Sequence, residues 1–256
     1  MTAPALARGR TGRRYVWPPQ EPHDLVVPSV TTILNNLNKP ALPNWAAREV
    51  AKYAVENILQ WQDLPPDDAV DLLKRAPYRN MKKKGDVGTA VHQAIEGWKQ
   101  GETPVLDDID LLPYVAGAAA FVNDNVARPL HVEATVYNRK YKYAGTCDGI
   151  FKMKDGATAI VDWKTSNNVY PEHALQLVAY ANCDFVGYPN GESVTLPPID
   201  QAWVVHLPGD GTYKAHQVNL TDRAFKTFIA LRSLQKWKDD YEADVFGDIT
   251  KGGDKE

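Results

Sequence analysis

Two aspartates and a lysine, Asp148, Asp162 and Lys164, fall within one short stretch of a 256-residue chain, AGTCDGIFKMKDGATAIVDWK over 144–164. A strand begins near Asp148 and runs through Ile150 and Phe151; the apolar run Ala157–Val161 leads a second strand into Asp162-Trp163-Lys164. Between them stands Lys154-Asp155-Gly156. A three-residue hairpin loop closes with a residue in the left-handed region, which glycine adopts at little cost. With Gly156 there, Met153 pairs with Ala157 and Asp148 lies opposite Asp162. Opposed Cβ atoms are about 4.5–5.5 Å apart. Alternation puts Lys164 beside Asp162 and turns Trp163 away. A two-residue Asp-Gly loop would shift the register and send Asp148 to the other face.

Carboxylates that close repel, and burial raises the cost. A divalent cation relieves both: Mg²⁺ takes one or two carboxylates together with waters and substrate phosphate. A lysine beside them orients or deprotonates a water, or stabilises charge on a phosphate in the transition state. The plainer alternative is a surface hairpin with a solvated Asp–Lys pair, for D-x-K alone is common.

Three further motifs weigh against that alternative. Gly145-Thr146-Cys147-Asp148 precedes Asp162-Trp163-Lys164; Gln176 and Tyr180 follow on a helix as Q-x-x-x-Y; and Gly88-Thr89-Ala90-Val91-His92 lies upstream as G-x-x-x-H. Four motifs in this order, over roughly residues 85–183, resemble the PD-(D/E)XK nuclease superfamily, in particular its RecB-like branch. Pro28-Ser29-Val30-Thr31-Thr32-Ile33-Leu34 looks more loosely like the start of RecB-like exonucleases carried by bacteriophages.

The resemblance implies an α/β fold, a restriction-endonuclease-like core with a central mixed β-sheet flanked by helices. It implies a metal-dependent DNA exonuclease serving recombination, repair or replication, with DNA as its partner and a recombination or single-strand annealing protein as a further one. Asp148, Asp162 and His92 would hold Mg²⁺ or Mn²⁺, with the carbonyl of Trp163 as a further ligand; Lys164, Gln176 and Tyr180 would complete the catalytic set. An imidazole ligand makes a site friendlier to Mn²⁺ than oxygens alone. The alternatives are a structure-specific endonuclease of flaps or junctions, or a DNA-binding recombination accessory protein with vestigial motifs. Some RecB-like nucleases carry an iron–sulfur cluster, which needs four cysteines. This chain has two, Cys147 and Cys183, so no cluster is expected, and small buried residues are the ordinary reading of both.

Composition fits an enzyme built as one large domain or a domain with a helical extension. The chain is 44% hydrophobic, enough for a core, and its net charge of −3 assigns any DNA contact to local basic patches. No apolar run approaches the ~20 residues of a membrane span and no signal peptide precedes Thr11, so a cytoplasmic location is expected, in the bacterial host if the chain is phage-encoded.

The positioning elements divide as follows. Residues 1–27 read as a basic, partly flexible arm in which Arg8, Arg10, Arg13 and Arg14 precede Tyr15-Val16-Trp17, either a tail with a short docked aromatic segment or an arm that touches phosphate backbone. Residues 28–80 read as a helical extension, with Ser29 capping one helix and Pro65-Pro66-Asp67 opening another. Residues 81–246 form the nuclease core and 247–256 a disordered tail. Val91, Ile95 and Trp98 mark a buried helix face, while His92 and Glu96 share another. Glu96 is either a partner that orients His92 or a solvated charge. Lys82-Lys83-Lys84, just before that helix, is either a solvated face or a phosphate contact. Residues 107–127 and Pro171–Cys183 read as helices. His131–Tyr137 alternates as a strand beside the hairpin, where Glu133 is an acid supporting the metal, an extra ligand or a surface residue. Gln201–Leu207 and Tyr213–Val218 read as a second strand pair, and Thr221-Asp222 caps a closing helix.

Overall fold

The computed structural model describes residues 6–9, 12–79, 88–92 and 109–247. Ten strands are described: β1 Leu6–Gly9, β2 Gly12–Trp17, β3 Leu25–Pro28, β4 Val126–Asn138, β5 Tyr143–Met153, β6 Thr158–Lys164, β7 Phe185–Gly187, β8 Ser193–Thr195, β9 Gln201–His206 and β10 Lys214–Gln217. The helices are α1 Val30–Leu34, α2 Ala41–Glu56, α3 Pro66–Lys74, α4 Leu112–Asn125, α5 Pro171–Ala181 and α6 Asp222–Asp240. Residues 88–92 are also helical.

A seven-stranded sheet in the order β10-β9-β6-β5-β4-β7-β8 forms the centre. Its neighbours are antiparallel except β6 and β9, which are parallel. A parallel pair needs a long crossover, and α5 supplies its helix. One side of the sheet packs Val30, Ile33, Leu177 and Phe228 around Ile150 and Ile160; the other packs Val91, Phe121 and Leu207 around Phe151 and Trp163. The expected mixed α/β architecture, a central sheet flanked by helices, is present.

The hairpin takes the three-residue loop. Gly156 sits at φ +89°, its amide donates to Met153 O, and the Met153 amide donates to Ala157 O at 2.9 Å. The ladder runs from Lys152–Thr158 to Gly149–Val161, a register that carries Asp148 opposite Asp162.

Two regions depart from the expected boundaries. Residues 12–27 of the expected arm, together with Pro28, pair with residues 6–9 as the sheet β1-β2-β3. Tyr15, Trp17, Leu25 and Val27 bury against Tyr137, Ala144 and Phe185. Tyr15, Val16 and Trp17 are buried in succession, while Leu25 and Val27 alternate with exposed Val26 as a half-buried strand does. The expected helical extension likewise begins late. Helix α1, capped by Ser29 Oγ accepting from the Thr32 amide at 2.9 Å, buries Val30, Ile33 and Leu34 in the main core, whereas α2 and α3 bury no residue. Strands β7 and β8, three residues each, are too short for periodicity to reveal.

Candidate active site

Asp148 lies where two ladders are interrupted. The β5–β6 ladder ends at Gly149–Val161, and the β4–β5 ladder passes from Val132–Gly149 to Ala134–Cys147 without pairing Glu133 to Asp148. The Trp163 amide, beyond the ladder's last pair, donates to Asp148 Oδ2 at 2.7 Å. Opposite, Glu133 adopts φ +49°. Left-handed backbone costs a non-glycine residue about 1–3 kcal/mol. The alternation of β5 slips here too, for Cys147 and Ile150 pack in the same cluster. The irregularity gathers acids: Glu133, Asp148 and His92 each place a ligand atom within 4.8 Å of the others. His92 Nδ1 lies 3.3 Å from Asp148 Oδ1 and 3.7 Å from Glu133 Oε1.

The second half of the site is Asp162 and Lys164. Asp162 is 1% exposed, and its Oδ2 lies 2.5 Å from Lys164 Nζ. That is a charge contact; neither Asp162 oxygen has an aligned hydrogen bond among the described residues. Oδ1 is therefore a buried acceptor without a donor, which is costly unless a cation or water fills the position.

The electrostatics follow from crowding anions in a poorly solvated place. Burial, reinforced by the Asp148 charge, pushes Asp162 up to about 6 despite Lys164. Burial works against the His92 imidazolium, yet the bonds to Asp148 and Glu133 outweigh it and raise His92 to about 10. Asp148 moves the other way: burial opposes its charge, but His92, Lys164 and the Trp163 amide hold it below the usual carboxylate range. Burial likewise opposes the Lys164 ammonium, and Asp162 and Asp148 more than restore it, so its pKa lies above the usual value. Without a metal, two side-chain cations compensate the acids.

The surroundings fix these groups. Trp163 turns away as expected, its indole edge-on to Phe121 at 5.5 Å in the opposite core. Gln176 Nε2 donates to Tyr180 Oη at 3.0 Å, and Tyr180 is buried so closely over Gly145 that a Cβ there would lie 2.5 Å from the ring. Gln176 is half-buried. Gly88 packs beside Thr165, in the loop that follows Lys164. Both cysteines are buried, each with its Sγ directed at a carbonyl, Ala134 O and Ala179 O. Glu96 and Lys82, Lys83 and Lys84 lie outside the described residues.

Sequence reasoning left two neighbours unnoticed. Tyr15 Oη, from the N-terminal sheet, bonds Thr146 Oγ1 at 3.0 Å, two residues from Asp148. His173, in the first turn of α5, is pushed down to about 4 by burial and by the Lys164 charge, so it is neutral at pH 7. The Tyr15 signal was the apolar run Tyr15-Val16-Trp17; for His173 none existed, since its environment depends on how α5 meets β6.

No family model matches the chain, and no curated protein matches it. Among solved structures, it is similar to an alkaline exonuclease from Laribacter hongkongensis at 14% identity and a TM-score of 0.37, over 57% of this chain and 75% of that one. It is similar to the same enzyme in complex with dAMP at 12% identity and a TM-score of 0.36, over 60% and 80%. These likenesses are too distant to assign a function. No described helix is long and apolar enough to cross a membrane.

Proposed function

We propose that this chain is a metal-dependent nuclease that hydrolyses phosphodiester bonds in DNA, acting as an exonuclease. The observation that carries the reading is the donorless Asp162 Oδ1, buried next to Lys164 and in the electrostatic reach of the His92–Glu133–Asp148 group. His92, Glu133 and Asp148 bring two carboxylates and one imidazole within 4.8 Å of one another, a donor set that suits Mn²⁺ or Mg²⁺, and Asp162, which is not of that group, would add its orphaned oxygen from the neighbouring strand. The resemblance of the four motifs to PD-(D/E)XK nucleases supports the same reading and supplies DNA as substrate.

Asp148, Asp162 and His92 would hold the cation, with Glu133 as a further ligand or as the acid that orients His92, and the carbonyl of Trp163 as an additional oxygen. Bound there, the cation would neutralise phosphate charge and lower the pKa of a water. The remaining work falls to the chain. Asp162 and Asp148 hold the Lys164 pKa above its usual value in the chain itself, and Lys164 would position the attacking water or place positive charge where the phosphate becomes more negative. The Trp163 amide fixes the carboxylate of Asp148, leaving its Oδ1 toward His92. Gln176 and Tyr180 form a hydrogen-bonded wall on the α5 side.

The test is a cleavage assay with metal titration on end-labelled linear and covalently closed circular DNA. Cleavage of linear molecules alone, dependent on Mg²⁺ or Mn²⁺, is expected. Cleavage of circles would make the chain an endonuclease of flaps or junctions. Binding without cleavage at any metal concentration would leave a DNA-binding accessory protein.

A further inference from the structure

The β4–β5 turn carries Arg139, Lys140 and Lys142, all exposed, on a chain whose net charge is −3. Such a run is ordinarily solvated and mobile, but this one is braced from every side. The Asn138 side chain accepts from the Tyr141 amide at 2.7 Å, and the Asp184 carboxylate accepts from the Arg139 amide at 2.6 Å. Arg232 of α6 donates Nε to the carbonyls of Tyr141 and Lys142 at 3.1 and 3.0 Å. Lys142 takes φ +53°, which bends the backbone into β5. The Tyr141 ring is pinned edge-on to Phe225 at 5.5 Å.

The cationic groups are also unneutralised. Arg139 lies over the Phe185 ring at 4.4 Å and Lys140 over the Tyr141 ring at 5.1 Å. Among the described residues neither they nor Lys142 form an ion pair; the nearby Asp184 carboxylate bonds a backbone amide instead. A ring face holds a cation in place without cancelling its charge. Three positive charges on a braced turn, two of them held over rings, suit a row of anions.

The turn also stands at the end of the sheet that holds the site. β6 ends at Lys164 beside the antiparallel start of β5, and Lys142 precedes Asp148 by six residues of β5. At about 3.4 Å per residue that is ~20 Å. Duplex DNA presents a phosphate on each strand about every 3.4 Å along its axis, so backbone flanking the scissile bond extends over that range.

We propose that Arg139, Lys140 and Lys142 form a phosphate-backbone clamp that grips the substrate DNA away from the bond being cut. The proposal rests on the nuclease reading for its ligand. The clamp contacts backbone, not base edges, so it contributes affinity for every sequence alike and none of the chemistry.

The experiment compares the full chain with the triple variant Arg139→Gln, Lys140→Gln, Lys142→Asn. Asparagine is chosen at 142 because it tolerates the left-handed conformation. Binding to a fluorescent 20-base-pair duplex and to the matching single strand is measured in Ca²⁺ at several salt concentrations, and circular dichroism confirms the fold. Each phosphate contact contributes about −0.9 to the slope of log affinity against log salt on duplex and about −0.7 on single strands. The variant should lose two to three units of slope on the duplex, with turnover at saturating DNA near that of the parent. If the parent cleaves DNA and the two salt slopes are parallel, the clamp is overturned and the nuclease reading stands. If the parent neither binds nor cleaves DNA, both fall.

Discussion

Strand β5 carries charge in two opposite ways. At its start three cations stand in water on a braced turn; six residues on, Asp148 is buried among Glu133, His92, Asp162 and Lys164. Exposed charge is cheap, and a solvated turn of lysines needs no partner to exist. Buried carboxylates are expensive, and one uncompensated charge can cost several kcal/mol. The site bears that cost together with a left-handed glutamate and a donorless oxygen, none of which helps the chain fold. The turn can thus be altered with little effect on folding, whereas neutralising the site should relieve the protein while destroying its chemistry.

The largest expected effect tests the second half of that contrast. Asp162→Asn keeps the shape and removes the charge that burial resists. DNA cleavage should fall to the level seen with EDTA, while the thermal midpoint of the metal-free variant at pH 8 should equal or exceed that of the parent. Cleavage that survives in purified Asp162→Asn would remove Asp162 from the site. A clear loss of midpoint would mean that the Asp162–Lys164 contact is structural.

Lys164→Ala separates charge near the phosphate from metal binding. Losing one preorganised electrostatic group costs about 10²–10³-fold in turnover. Calorimetric Mn²⁺ titration should meanwhile show affinity close to that of the parent, because Lys164 makes no metal bond. A parallel collapse of affinity would show Lys164 holding Asp162 in place.

Much of the site was legible because buried chemistry leaves patterns. The D-x-K end of β6, the glycine that sets the hairpin loop and the helix with Gln176 and Tyr180 are local, and local geometry follows from local residues. The opposition of Asp148 and Asp162 followed from the loop length alone. Glu133 stood among the candidates with its role open, since nothing local announces a left-handed residue in mid-strand. The clamp escaped notice because three cations in a turn look like any solvated turn. Its bracing comes from Asp184, Phe185, Phe225 and Arg232, about 45 to 90 residues away in sequence. Docking of the Tyr15-Val16-Trp17 segment was legible, but its pairing into a sheet was not, as that depends on residues 6–9 and 25–28 and on the surface offered by Tyr137 and Phe185.

Glu133 sharpens the comparison at intermediate size. Glu133→Gln should weaken Mn²⁺ binding by about 10–100-fold, the range for groups that orient or assist metal ligands. Glu133→Gly should weaken it comparably but raise the metal-free stability relative to the Gln variant by ~1 kcal/mol, because glycine takes the left-handed backbone without strain. Equal urea midpoints for the two variants would mean that position 133 is not strained.

The smallest effect is a pH dependence of the metal-free protein. His92 titrates near 10 in the folded chain against an ordinary value near 6.5. A raised pKa contributes stability that is complete below the unfolded value and is lost as pH climbs through the folded one. His92 therefore lowers stability progressively between about pH 6.5 and 10. Asp162, raised from 3.8 to about 6, has already lost its contribution by the start of that window. Asp148 is lowered and acts only toward acid pH. In EDTA the thermal midpoint should fall from pH 6.5 to 9.5 more steeply in the parent than in His92→Gln, which lacks the titrating group. Saturating Mn²⁺ should flatten the parent's fall, because a bound cation takes over the compensation that the imidazolium provides and displaces its proton. Parallel profiles for parent and variant would show that His92 does not compensate the acids, and would leave the His92–Glu133–Asp148 group without its electrostatic rationale.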